Sequence, residues 1–184
     1  MSRLLPVIVL LLLSGCSSHP PMKTVDFVDL QRFMGDWYVI ANIPTFIETE
    51  AHNAVESYRL NADGSVATTF SFHDGSFSGP LKTYHPTGYI SNTETNALWG
   101  MQFIWPFKAD FRIVYLDADY QNTIIARQAR DYVWIMSRQP EISEQTFLKL
   151  QQQVMELGYD VDKLKKVPQR WPNNEVSQPS GDEA

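Results

Sequence analysis

Between residues 37 and 138 the chain repeats one pattern. Short runs rich in Val, Ile, Thr, Phe, Tyr and Trp alternate with short polar breaks. Strands that bury one face and are joined by tight turns have this pattern. It predicts eight strands, at 37–45, 54–60, 65–72, 81–90, 97–105, 111–116, 123–127 and 132–138. The breaks read as hairpins. NADG at 61–64 holds an Asp-Gly step, DGSFSGP at 74–80 carries two glycines and a proline, and DADYQN at 117–122 is short and polar. Eight strands joined in sequence predict an all-β fold, an antiparallel up-and-down barrel, because closing the sheet on itself removes its edges.

Side chains alternate across a strand, so parity assigns each one a face. The apolar parity gives Trp37, Val39 and Ala41 in the first strand, then Ala54, Glu56, Tyr58 and Leu60, then Val66, Thr68, Phe70 and Phe72. Further on it gives Trp99, Met101, Phe103 and Trp105, then Phe111, Ile113 and Tyr115, and lastly Tyr132, Trp134 and Met136. An eight-stranded barrel is about wide enough for one small ligand or for side chains that fill it. Two readings follow. The inward set Val39, Ala41, Tyr58, Phe70, Phe72, Trp99, Met101, Phe103, Phe111, Ile113, Tyr115, Trp134 and Met136 lines a cup, or it packs a solid core. Glu56 is the odd member of its stripe. An unpaired Glu is rarely fully buried, so it is expected to break the alternation and face water.

Two helical segments flank the strands. Residues 26–34 carry Phe27, Leu30, Phe33 and Met34 at helical spacing. A longer segment begins at Ser143 as N-cap, runs through Phe147, Leu148, Leu150, Val154, Met155 and Leu157, and stops at Gly158. It is expected to pack one face on the outside of the barrel. Residues 159–167 are expected to add a last strand. The barrel domain is placed at 25–170, and the polar tail 171–184 is expected to be disordered.

The start of the chain has a different character. Arg3 precedes an apolar run over 4–13, about half the length needed to cross a bilayer. Small residues and the single cysteine, Cys16, follow. Residues 1–15 therefore read as a secretory signal. Leu-Ser-Gly-Cys at 13–16 resembles the lipobox of bacterial lipoproteins. That resemblance implies diacylglycerol on the Cys16 thiol, cleavage before it, and a lipidated tether over 16–24. Ser17, where inner-membrane lipoproteins often carry Asp, implies the outer membrane of a Gram-negative bacterium, facing the periplasm. With one cysteine there is no disulfide framework. Loss of the signal removes Arg3 alone, taking the net charge of −6 to −7 over 169 residues. Such a surface gives no reason to expect nucleic acid, nor a polybasic hold on anionic lipid. His19, His52, His73 and His85 lack zinc-ligand spacing, and no nucleophile elbow or phosphate-cradling loop is present. No catalytic residue, metal or cofactor is expected.

Three segments carry a family resemblance. GDWY at 35–38 follows a short helix and opens a strand, LDADY at 116–120 forms a turn, and IMSRQP at 135–140 ends the last strand. In this order they resemble the three signatures of the lipocalins, with Ala118 where a Thr is often found. The resemblance implies structural roles for Gly35, Trp37, Asp119, Tyr120 and Arg138. It places the Arg138 guanidinium over the Trp37 indole at the closed end, a contact worth about 1–2 kcal/mol when desolvated. Residues 129–143 and WPF at 105–107 resemble the bacterial outer-membrane lipoprotein branch, which is related to apolipoprotein D. That branch implies a fatty acid or lysophospholipid in the calyx, envelope maintenance under stress, and allows a homodimer. A lid over 43–52 with Phe46 and Ile47 would cover the mouth, and Tyr58 or Tyr115 would offer a hydroxyl to the headgroup. The rival is a filled barrel that scaffolds the envelope without cargo.

Overall fold

The computed structural model describes residues 19–172. The signal segment, Cys16 and most of the polar tail lie outside the described residues. Ten strands form one antiparallel sheet: β1 Gly35–Ile43, β2 Ala51–Leu60, β3 Val66–Asp74, β4 Leu81–Tyr84, β5 Thr87–Asn92, β6 Leu98–Ile104, β7 Phe107–Leu116, β8 Asn122–Ala126, β9 Val133–Ser137 and β10 Lys165–Lys166. Neighbours follow chain order, and β1 pairs with β9 to close the sheet. The result is the eight-stranded up-and-down barrel that the sequence predicts, with β4 and β10 as short additions.

The fourth predicted strand is two. Pro86 has no N–H to give a ladder, and the chain breaks between Tyr84 and Thr87. β4 pairs with the upper part of β3, while β5 pairs with the lower part of β3 and with β6. The first helix is also shorter than 26–34. Only Leu30–Phe33 is helical (α1), because the Asp29 carboxylate caps there, accepting from Gln31 N at 2.9 Å and Arg32 N at 3.3 Å. Ahead of the cap, Val25 N and Val28 N donate to Ile113 O and Thr95 O at 3.0 and 2.8 Å, so the barrel holds that stretch extended. The last predicted strand reduces to a single 3₁₀ turn, Val161–Lys163, and the two residues of β10.

The second helix, α2 Glu144–Glu156, starts where expected. Ser143 Oγ accepts from Thr146 N at 3.1 Å. Phe147, Leu150 and Val154 are buried against the outside of the barrel, whereas Leu148 and Met155 face solvent. The hydrophobic interior is therefore in two layers. One fills part of the barrel and includes Val39, Ile113, Ile125 and Met136. The other lies between the sheet and α2 and includes Ala41, Ile124, Ile135 and Phe147.

Two bulges decide which residues belong to which layer. On β1, Val39 pairs with Met136 and Ala41 with Ile135, so Ile40 is an extra residue. On β7, Ile113 pairs with Ile125 and Tyr115 with Ile124, so Val114 is extra. An inserted residue reverses the alternation beyond it. Ala41 and Tyr115, expected inside, therefore face α2. Tyr115 lies 5.9 Å from Lys149 Nζ on that helix.

Candidate functional site

The two ends of the barrel differ. At one end α1 and the 61–65, 93–97 and 117–121 turns close the sheet; at the other lie the loops after β1, β3, β6 and β8. Aromatic side chains fill the closed end. Phe33 from α1 sits 5.1 Å from Trp37, 5.6 Å from Tyr58 and 5.7 Å from Trp99, measured between ring centroids. Trp99 stacks on Phe111 at 5.1 Å. Such pairs add about 0.5–1.5 kcal/mol each beyond the area they bury. Gly88 makes room for the Trp99 indole: a Cβ there would meet Trp99 Cε3 at 3.2 Å.

The signature residues meet beneath this plug. Gly35 takes φ +91°, a left-handed turn out of α1 into β1 that suits glycine. Trp37 is fully buried, and its Nε1 donates to Phe33 O at 2.9 Å. The Arg138 guanidinium lies 3.8 Å from the Trp37 ring. It donates to the carbonyls of Arg32, Phe33, Met34 and Asp36 at 2.7–3.0 Å. The carbonyls of Arg32, Phe33 and Met34 lie at the end of a one-turn helix that cannot satisfy them itself, and the Asp36 carbonyl belongs to the start of β1, so one side chain ties the helix end to the strand. Tyr120, at φ +58°, accepts from Asp29 N at 2.9 Å through its hydroxyl, with Arg32 4.0 Å above its ring. Asp119 is exposed and bonds only through its carbonyl, to Gln121 Nε2 at 3.1 Å.

Above the plug is a cavity of about 510 Å³, open at the loop end. Small-molecule sites run roughly from 300 to 1,000 Å³. Phe70, Met101, Phe103, Phe111 and Trp134 line it, as parity predicts. Tyr58 and Trp99 belong to the plug instead. Val39, Ile113 and Met136 are packed core inside the barrel, and Phe72 is buried beside Phe70 and Tyr84. Ala41 and Tyr115 are outside, so Tyr115 offers no hydroxyl to a ligand. The barrel is thus filled at one end and hollow at the other.

Glu56 also lines the cavity, which corrects the expectation that it faces water. It stands opposite Trp37 on β1 and Phe70 on β3, so the alternation holds. What surface it shows, it shows to the cavity. Tyr58 donates its hydroxyl to the Glu56 carboxylate. Burial, with Glu48 nearby, nonetheless pushes the Glu56 pKa up to about 7.

Glu48 is the residue that sequence reasoning missed. It comes from the loop after β1, yet it is buried, turned in under that loop. Its carboxylate accepts from Thr45 N at 3.1 Å, Thr45 Oγ1 at 2.9 Å and Trp134 Nε1 at 3.2 Å. Burial raises its pKa, and these hydrogen bonds oppose the rise. Three carboxylates therefore line an apolar cup, and only Asp110 of them is held in an ion pair, with Arg112 at 2.9 Å; Glu48 and Glu56 are not, among the described residues. The one arginine of the lining, Arg127, pairs with Asp131 at 3.3 Å at the mouth. Phe46 of the same loop lines the cavity but is 88% exposed.

The comparisons with known proteins agree with this geometry. The model of the lipocalin-like domain matches residues 28–169. Temperature-induced lipocalin-1 of Arabidopsis thaliana is 30% identical over 159 residues, covering 80% of this chain and 83% of the relative. Outer membrane lipoprotein Blc of Citrobacter freundii is 30% identical over 173 residues, covering 88% of this chain and 95% of the relative. Among solved structures, insecticyanin from the tobacco hornworm Manduca sexta superposes with a TM-score of 0.65 at 16% identity, covering 84% of this chain and 86% of that one; this supports the fold alone. A cup closed by a tryptophan and an arginine, with the three signature segments at its base and a matching model across most of the barrel, leaves one assignment: the chain belongs to the lipocalin family.

Proposed function

We propose that this protein is a membrane-anchored carrier that holds a lipid with one long acyl chain in its half-open barrel. The observation that carries this reading is the apolar cavity above the aromatic plug. A chain entering it gains about 0.8 kcal/mol per methylene removed from water. Few polar contacts are then needed for micromolar affinity. The mouth is where a headgroup stays wet.

Glu48 and Glu56 sharpen the choice of headgroup. A fatty-acid carboxylate carried deep into the cup would meet Glu48 and Glu56, and like charges in a poorly solvated site repel. A lysophospholipid whose headgroup includes an amine avoids that cost, so it is the preferred cargo. The likeness to an outer membrane lipoprotein supports export and acylation at Cys16, with the barrel in the periplasm at the outer membrane. In that position a carrier of single-chain lipids serves envelope maintenance under stress. It acts by binding and not by catalysis.

The test is a titration of the delipidated mature chain with a lysophosphatidylethanolamine and a fatty acid of equal chain length, followed by tryptophan emission. Saturable one-to-one binding at micromolar ligand is expected, tighter for the lysophospholipid at pH 7.5. Failure of both ligands to bind would overturn the carrier reading. A preference for the fatty acid would overturn the headgroup assignment.

A further inference from the structure

The cavity mouth carries an apolar crown, of which Phe46 and Ile104 line the cup and Trp105 and Phe107 do not. At the tip of the β6–β7 hairpin, Ile104, Trp105 and Phe107 are 72%, 82% and 76% exposed. Phe46, on the loop after β1, stands at the same end. Trp105 and Phe107 do not line the cavity, so ligand binding does not explain them. Aromatic residues of this kind favour the headgroup level of a bilayer.

A second observation fixes what faces this crown. The first described residues are clipped to the same end of the barrel. Gln128, in the mouth loop between β8 and β9, accepts from Met22 N at 2.8 Å and donates to His19 O at 3.2 Å and Pro20 O at 3.1 Å. Arg130 donates to Pro20 O at 2.9 Å, and Met22 itself is buried. Cys16 is three residues before His19. Three extended residues reach at most about 11 Å. The chain could have left from the closed end, which would have put an anchor roughly a strand length away, about 20–30 Å. It leaves from the mouth.

We infer that the barrel sits mouth-down on the bilayer that holds its anchor, with the tip at Trp105 and Phe107 inserted among the lipid headgroups. This rests on the proposed acylation of Cys16. The partner is a phospholipid surface, and the contact is apolar. With a net charge of −7 after loss of the signal the protein has no general electrostatic pull toward anionic lipid. In this orientation a single-chain lipid enters or leaves the cup directly from the membrane.

The test uses the full lipidated chain reconstituted in phosphatidylethanolamine–phosphatidylglycerol vesicles. Acylation blocks the only native thiol, so Ser78→Cys at the mouth and Asp63→Cys at the closed end each give one labelling site. Energy transfer from a donor dye to a headgroup-labelled lipid should be several-fold higher from the mouth site. Brominated lipid should quench a share of the tryptophan emission that Trp105→Ser removes, with little dependence on salt. Equal transfer from both sites, or no bromolipid quenching, would overturn the orientation. Intermolecular crosslinks through position 78 without quenching would do the same, by showing that a second copy covers the crown. The ligand titration reads separately. Trp105→Ser and Phe107→Ser should leave lysophospholipid affinity in solution within about twofold, so the carrier reading and the orientation fail independently.

Discussion

The closed and open halves of the barrel are built from the same strands with the same alternation, yet they do opposite things. The closed half stacks Phe33, Trp37, Tyr58, Trp99 and Phe111 ring against ring. The open half points Phe70, Met101 and Trp134 into the cavity and adds the carboxylates of Glu48 and Glu56. The difference is not in the hydrophobicity of the strands. It comes from α1, whose single turn pushes Phe33 into the base, and from the loop after β1, which folds Glu48 over the top. One end gains stability from packing, while the other leaves apolar surface unpaired and available to a ligand.

Breaking the closed end should have the largest effect. Trp37→Ala is expected to lower stability by roughly 3–5 kcal/mol, the range for a large-to-small change in a packed core. Denaturant unfolding reads it, and an unchanged midpoint would mean that the plug does not hold the fold. Next in size is the pH dependence at the open end. The folded state keeps a proton on Glu56 up to about pH 7, where the unfolded chain releases it near 4.5. Stability should therefore fall as pH rises from about 4.5 to 7, by up to about 3 kcal/mol, and level off above that. Comparing unfolding at pH 5 and pH 8 measures the fall, and Glu56→Gln should remove most of it.

Arg138→Met should cost about 1–2 kcal/mol through the lost cation–π contact, with a further loss where the α1 carbonyls turn to water. Ligand affinity should stay within about twofold, because Arg138 touches the plug and not the cup. The smallest effect on stability is expected at the mouth. Phe46→Ser should change stability by less than about 0.5 kcal/mol, since the side chain is exposed, yet weaken binding several-fold. Unfolding and titration of the same sample separate the two outcomes.

Much of the closed end was legible in the sequence. Gly35, Trp37, Tyr120 and Arg138 sit in motifs short enough to quote, and their contacts are local to one end. The cup was legible only in part. Parity says which face a residue shares but not how high along the barrel it stands, so Trp99 and Tyr58 read as lining when they belong to the plug. Parity also fails across a bulge, and nothing in the runs around Ile40 or Val114 announces one; Ala41 and Tyr115 were misplaced for that reason. Pro86 carries a signal for the break between β4 and β5, but the apolar run on either side of it reads as one strand over 81–90. Glu56 teaches a different lesson. Its position in the stripe was correct evidence for an inward side chain, and the general reluctance of carboxylates to be buried was the wrong guide, because a Tyr58 hydroxyl and a raised pKa make the site tolerable. Glu48 had no periodic pattern to betray it, since loop side chains follow tertiary contacts.

The central claim is that the hollow half of the barrel is the binding site. Ala109 lines the cavity from β7, opposite Met101. The direct measurement is isothermal titration of lysophosphatidylethanolamine into the delipidated protein and into Ala109→Trp, whose indole would occupy the cup. The account predicts one-to-one binding to the first and at least a tenfold loss in the second, with both proteins folded. Equal affinity for the two would place the ligand elsewhere and contradict it.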